Sequence, residues 1–468
     1  MNGYQLADFE NVELSVAFTS ALDDQLVGHL YKGPHQEDLT FAYWKPSCGA
    51  MRFTAIVSQL NLPQEGDRIL QGNVAFTEPY LGRVLAERPA ECGVALLHSH
   101  LGPGWQGMSD DDVVAEKERL AGAVASTSGL PLLGLTWGTD GTWSARFWLR
   151  AGRHNYERKW VSTVRSVGRR VAMSFHPKLR PPSSPSEAQV ATVSVWGQGA
   201  QQDLARTHVG IVGNGSVGSI IAEALSRTGV ERITLIDADK IEERNLDRTL
   251  GALRADAIEG TRKVAVSKRL VDQTHTSTSF LARAVPHSLL EAPGLSAALD
   301  CDVLMCCVDR PWPRHVLNVI AYAHLIPVID GGILARVSES GRLLHVDWRI
   351  HTVGPGRACL YCLDAIRRSD VALDRDGKLD DPDYVKGLSA ADRERYGRRN
   401  VFAFSLSVAS HQVLQLVGVV TGNVRIGGDG AQTYHAYPGV MDVESRPACL
   451  DECDIVPLTA NAHPNIIS

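Results

Sequence analysis

Three groups of residues in this 468-residue chain have types and spacings that can do chemistry. The first is His98-Ser-His100, followed by a glycine-rich turn and then Ser109-Asp-Asp-Asp112. A strand sends alternate side chains to one side, so His98 and His100 can face a single ion. A carboxylate from the start of the next helix, Asp112, completes three ligands and leaves one position open, the layout of a catalytic zinc site. The second group is Gly213-Asn-Gly215-Ser-Val-Gly218, with Asp237-Ala-Asp239 at the end of the next apolar run. This is the spacing of a turn that cradles phosphate and an acid that holds a ribose. Asn245, Arg248, Lys263, Asp309 and Arg314 follow. The cations among them suit charge developing on a departing pyrophosphate, and an aspartate such as Asp309 can hold Mg²⁺. Hydride transfer has no use for that set, so ATP chemistry is expected over an NAD-dependent oxidoreductase, which the glycines alone would equally permit. The third group pairs Cys359-Leu-Tyr-Cys362 with Cys449-Leu-Asp-Glu-Cys453. Four thiolates suit a closed, structural zinc.

The elements that must position these groups can be read from the apolar pattern. Residues 93–97 and 132–137 read as buried strands, 79–87 as a helix with Thr77 as N-cap, and a second helix starts at Ser109. This half is α+β. Residues 175–190 are rich in proline and serine and are expected to be an extended linker without packing. They separate domains 1–174 and 191–468. Beyond them, runs at 209–212, 232–236, 303–307 and 326–329 alternate with helical stretches such as 216–228, which implies a parallel, doubly wound sheet. Residues 367–400 are highly charged and are expected to be a mobile surface loop, and 401–420 a long apolar helix.

Composition bounds the class. The chain is 44% hydrophobic and 21% charged with a formal net charge of −6, which gives no basic footprint for nucleic acid. Long unbroken apolar runs and a signal-like N-terminus are not apparent, so no membrane association is expected. Nine cysteines are too sparse for a disulfide framework, and a reducing cytoplasm is the expected location.

The His-x-His and Ser-x-x-Asp elements resemble the JAMM (MPN+, JAB) zinc metallopeptidases over roughly the first third of the chain. That resemblance implies that His98, His100 and Asp112 hold Zn²⁺, that Ser109 steadies a tetrahedral oxyanion, and that an upstream glutamate is the general base. Glu37, just before a strand-like run, is preferred over Glu78, Glu87 and Glu91. The Gly-rich turn and the residues after it resemble the ThiF/MoeB/ubiquitin-activating superfamily, from about Trp196 to the C-terminus. By that resemblance Asp237 holds the ribose, Arg248 and Lys263 the triphosphate, and Asp309 the Mg²⁺. Two departures stand out. No cysteine lies between Cys362 and Cys449, where a thioester-forming residue is usual, and residues 190–195 carry no arginine.

Taken together, the expected protein is a bifunctional enzyme. A zinc peptidase trims or releases a ubiquitin-like or sulfur-carrier protein, and an adenylating domain activates the carrier's C-terminal glycine. Thioester transfer is not expected. The pathway is either bacterial-type conjugation, including antiviral defence, or sulfur transfer, with a separate conjugating enzyme or sulfur donor and a homodimeric assembly. The rival from a different class is a weakly active scaffold that only binds the carrier.

Overall fold

The computed structural model describes residues 4–338, 340–389, 400–423, 425, 430–445, 448–463 and 466. The chain separates into two units, one built mainly from Met1–Gly168 and Ala172–Pro181, the other mainly from Pro182–Thr459.

The first unit is laid on strands β1 (Glu13–Thr19), β2 (Leu39–Cys48), β3 (Arg52–Asn61), β4 (Arg68–Gln71), β5 (Asn73–Phe76), β6 (Gly93–Ser99), β7 (Leu132–Trp137), β8 (Trp143–Gly152), β9 (Asn155–Trp160), β10 (Thr163–Val167) and β11 (Val171–Phe175). β4 and β5 form a hairpin apart. The others join one mixed sheet in the order β11-β10-β1-β3-β2-β6-β7-β8-β9. Alternation along β2 explains its two faces. Ala42 and Trp44 enter an apolar layer with Phe53 and Phe147, while Phe41 and Tyr43 enter another with Tyr80 and Leu120. The helix Glu78–Glu87 forms with Thr77 at its N-cap and a proline in its first turn, and buries Tyr80, Leu81 and Val84 in the second layer. The helix beginning at Ser109 runs as Asp110–Val113, a π-helical stretch Val114–Ala121, and Gly122–Ser128.

The second unit contains β12 (His208–Val212), β13 (Arg232–Ile236), β14 (Leu281–Val285), β15 (Val303–Cys306), β16 (Val328–Val337), β17 (Leu343–Val353), β18 (Gly430–His435) and β19 (Val440–Ser445), in the order β14-β13-β12-β15-β16-β17-β18-β19. From β14 to β16 all pairings are parallel. β12 and β15 are buried along their whole length, as strands covered by helices on both faces must be. The chain moves outward from β12 to β13 and β14, then returns to β15 on β12's other side. The turn after β12 therefore opens at a topological switch point.

Three expectations need correction. The sheet is not parallel throughout, because β16 to β19 pair antiparallel. Segment 175–190 is not an unpacked linker. Phe175 is buried, Ser186 donates to the carbonyl of Thr276, and Gln189 is buried against that residue. The charged stretch after Arg367 folds into helices Arg368–Arg375 and Pro382–Gly387. Asp374 anchors it by accepting from Arg310 and from the backbone N–H of Trp312 in the first turn of the helix Pro311–Ala323; residues 390–399 of that stretch lie outside the described residues. The long apolar helix expected at 401–420 is present as Phe402–Thr421, and by length and composition alone it could cross a membrane. Here it packs on the sheet, and Gln412 donates to the carbonyls of Cys306 and Ile329.

Candidate functional site

In the first unit, register builds the site. Leu39 of β2 lies opposite His98 of β6, which brings the start of β2 beside the two histidines. Ser99 N–H donates to the Asp38 carbonyl at 3.0 Å, and Asp38 N–H returns a bond to Ser99 Oγ at 3.0 Å. Asp38 is fully buried, with Arg68 and Lys32 as charge partners and the His29 ring beside it, so the stem under Glu37 is fixed. His98 Nε2 and His100 Nε2 are 3.1 Å apart. Asp112 reaches them at 3.3 and 3.2 Å. The edge of a tetrahedron with zinc–ligand bonds near 2.05 Å is about 3.3 Å, so the donor set fits a zinc ion.

Asp112 is aimed by a capping box. Ser109 Oγ accepts from the Asp112 N–H at 3.1 Å, and the Asp112 carboxylate accepts from the Ser109 N–H at 2.8 Å. Burial opposes ionisation of Asp112, yet bonds from His100 and His98 hold it well below the usual carboxylate range. Glu37 is near enough to feel both histidines and Asp112. Burial pushes its carboxyl up, and the imidazole charges pull the other way. Behind His98, Thr136 Oγ1 lies at 3.4 Å from Nε2 and accepts from Arg146, whose guanidinium pairs with fully buried Glu116. Sequence reasoning did not identify Thr136, Arg146, Glu116, Asp38 or Arg68, because none belongs to a local motif.

In the second unit, Gly213 turns out of β12 with φ +92°, and a Cβ there would meet the Cys307 carbonyl at 2.7 Å. A Cβ on Gly218 would lie 1.9 Å from the Gly213 carbonyl, whereas one on Gly215 would meet nothing within 4 Å. The outer two glycines are thus required by the fold, and the middle one keeps a face open for a ligand. Asp237 is at the end of β13, where its carboxylate accepts from the N–H groups of Asn214 (2.6 Å) and Asp239 (2.8 Å); burial raises its pKa. Lys263 donates to Asp239 at 2.7 Å. The turn, Asp237, Asp239 and Lys263 are therefore linked by hydrogen bonds, and Cys307 N–H on the Val212 carbonyl sets the β15 end, with exposed Asp309, beside them.

Other expected residues are engaged locally. Arg248 donates to Asp247, and the Asn245 side chain accepts from the Glu242 N–H, forming a cap. Arg314, expected among the nucleotide-facing cations, is instead held by Asp330, which takes its Nε at 3.0 Å and Nη2 at 2.5 Å. Arg349 adds a third contact at 3.4 Å. Asp330 is fully buried; burial opposes its charge, but the two guanidinium groups outweigh that and hold its pKa at about 2.

Cys359, Cys362, Cys449 and Cys453 bring their sulfur atoms within 4.8 Å of one another, and the Cys359–Cys453 separation is 3.6 Å. Zinc–sulfur bonds near 2.3 Å require an edge of about 3.8 Å, so these residues also fit a zinc ion despite the three-residue spacer in the second pair.

The fold and turn of the second unit define a doubly wound, Rossmann-like domain. Its family is ThiF: the ThiF family model matches residues 187–437, more than half of the chain, and the chain belongs to that family. The chain is 28% identical over 167 residues to molybdopterin-synthase adenylyltransferase of Escherichia coli, spanning 36% of this chain and 62% of that protein. It is 48% identical over 146 residues to the tRNA threonylcarbamoyladenosine dehydratase of the same organism, spanning 30% of this chain and 52% of that protein. It therefore covers less than two thirds of the length of either. A crystal structure of E. coli MccB with ATP is similar over 58% of this chain and 74% of that chain, at 16% identity and a TM-score of 0.43.

Proposed function

We propose that the second unit adenylates the C-terminal carboxylate of a small ubiquitin-like or sulfur-carrier protein. The observation that carries this reading is the hydrogen-bonded set of glycine turn, Asp237, Asp239 and Lys263 at the switch point, in a chain of the ThiF family. In the proposed step a carboxylate oxygen forms a bond to the α-phosphorus of ATP. The bond from that phosphorus to the bridging oxygen breaks, and pyrophosphate leaves with the electron pair. Asp237 would bind the ribose, and Lys263 and Arg248 would neutralise the leaving group. Asp309 would hold the Mg²⁺ that screens the phosphates. Incubation of the chain with a glycine-terminated carrier and ATP tests this. Label at the α-phosphorus should appear on the carrier, and label at the γ-phosphorus should not; γ-label on the carrier would overturn the reading.

The first unit supports a second proposal, a JAMM-type zinc peptidase acting on the same class of carrier. Its support is the close approach of His98, His100 and Asp112 with Glu37 at hand. A zinc ion held there would lower the pKa of a coordinated water to about 7. Glu37 would take that water's proton and pass it to the departing amine, and the Ser109 hydroxyl would donate to the developing oxyanion. Glu37→Gln should abolish cleavage of a carrier fusion while leaving bound zinc unchanged. Full activity in that variant would remove Glu37 from the mechanism. Acting in a cytoplasmic conjugation, antiviral or sulfur-transfer pathway, the two activities would trim and then activate one C-terminus.

A further inference from the structure

The antiparallel extension of the second unit carries a third group of metal-ligating side chains. His345 and Asp347 are two residues apart on β17 and share a face. Asp347 is directly opposite His435 on β18. The other face of the same strands fixes that register, since Val346 and Trp348 are buried and Trp348 stacks on Tyr434 with ring centroids 4.4 Å apart. Three ligand atoms from His345, Asp347 and His435 therefore come within 4.8 Å of one another. Asp347 sits between the rings, 2.6 Å from His345 Nε2 and 2.8 Å from His435 Nδ1. The second nitrogen of His435, Nε2, is 3.2 Å from a carboxylate oxygen of Asp442 on β19.

The atoms that His345, Asp347 and His435 turn toward one another are donors of the kind a divalent ion takes. With such an ion bound, His345 Nε2, an Asp347 oxygen and His435 Nδ1 become ligands, and the Nε2–H of His435 donates to Asp442. A ligating histidine whose other N–H rests on a carboxylate is the usual outer arrangement of such sites. The two Asp347 contacts need to lengthen by roughly half to three quarters of an ångström to reach a tetrahedral edge, which partly exposed side chains can supply. The face opens on a cavity of about 310 Å³ bordered by Arg349, Thr433, Asp442 and Glu444, which leaves room for water or a ligand atom to complete the shell.

We propose that His345, Asp347 and His435 form a zinc-type divalent metal site on the β17–β18 surface, separate from the four-cysteine and His98/His100/Asp112 clusters, with Asp442 orienting His435. Two nitrogens and one carboxylate oxygen select borderline ions such as Zn²⁺ over Mg²⁺ or Ca²⁺. The test uses the full chain. Zinc per chain is counted after equilibration with Zn²⁺ and removal of excess, in the wild type, in His345→Ala/His435→Ala and in His435→Gln. Each variant should hold one ion fewer and keep its circular dichroism, whereas His98→Ala and Cys359→Ser should each leave this ion in place. Independently, Zn²⁺ titration of the wild type should shift the imidazole nitrogen resonances that disappear in the double variant. Equal zinc content in wild type and double variant, or no such shift at saturating Zn²⁺, would overturn the proposal.

Discussion

Replacing Asp330 with asparagine removes the charge that holds Arg314 and Arg349 in the core while keeping the side chain's shape. Two estimates of the cost come from the structure. The carboxyl is held at about 2 against an ordinary value of 3.8; at about 1.4 kcal/mol per unit, the charged form contributes roughly 2–3 kcal/mol at neutral pH. Leaving buried guanidinium groups without a counter-charge costs about 3–5 kcal/mol. The expected loss is therefore about 3 kcal/mol, confined to the second unit. A chain of two units has no single well-defined transition. The suitable assay is amide hydrogen exchange of β15 and β16, which should quicken by roughly 10²-fold in Asp330→Asn for a 3 kcal/mol loss, with β6 and β7 unchanged. The pH dependence has a definite sign. Because the folded pKa lies below the unfolded one, the contribution is present above pH 3.8 and is lost as pH falls through about 2, so wild type and variant should converge over that interval. A change below about 1 kcal/mol, or no convergence, would refute the reasoning and free Arg314 for the nucleotide role the sequence suggested.

Other substitutions separate fold from function. Gly218→Ala should destabilise the second unit by about 3 kcal/mol or more, because its Cβ would overlap the Gly213 carbonyl, while Gly215→Ala should fold normally and lose ATP affinity in a binding titration. Glu116→Gln should cost the first unit about 3–5 kcal/mol in urea unfolding, since it strips the partner from buried Arg146. Cys359→Ser should lose one zinc ion and lower the melting temperature of the second unit, because a structural zinc contributes directly to folding.

What the sequence disclosed follows a physical pattern. Strands such as 132–137 and 232–236 were legible because they are buried nearly along their whole length, leaving short apolar runs bounded by turns. The candidate sites at His98-x-His100 and Gly213–Gly218 were legible because strand ends and helix starts impose local spacing. Residues joined only by register were not. Nothing near Asp38 announces Arg68, and nothing near Asp347 announces His435, 88 residues away. The charge of 367–389 misled for a related reason. A dense run of acids and bases reads as solvated, yet Asp374 meets Arg310 and the start of another helix. The helix Phe402–Thr421 shows the opposite ambiguity, since its apolar length is spent on the sheet of its own unit.

The central claim is that the second unit makes an acyl adenylate reversibly, and exchange of labelled pyrophosphate into ATP measures that step most directly. With a glycine-terminated carrier present, the wild-type chain should catalyse exchange, and without a carrier it should not. Lys263→Ala and Arg248→Ala should slow it by about 10²–10³, the usual effect of removing a group aimed at transition-state charge. Asp309→Ala should abolish it, and Glu37→Gln should leave it intact. Carrier-independent exchange, or full exchange in Asp309→Ala, would contradict the account.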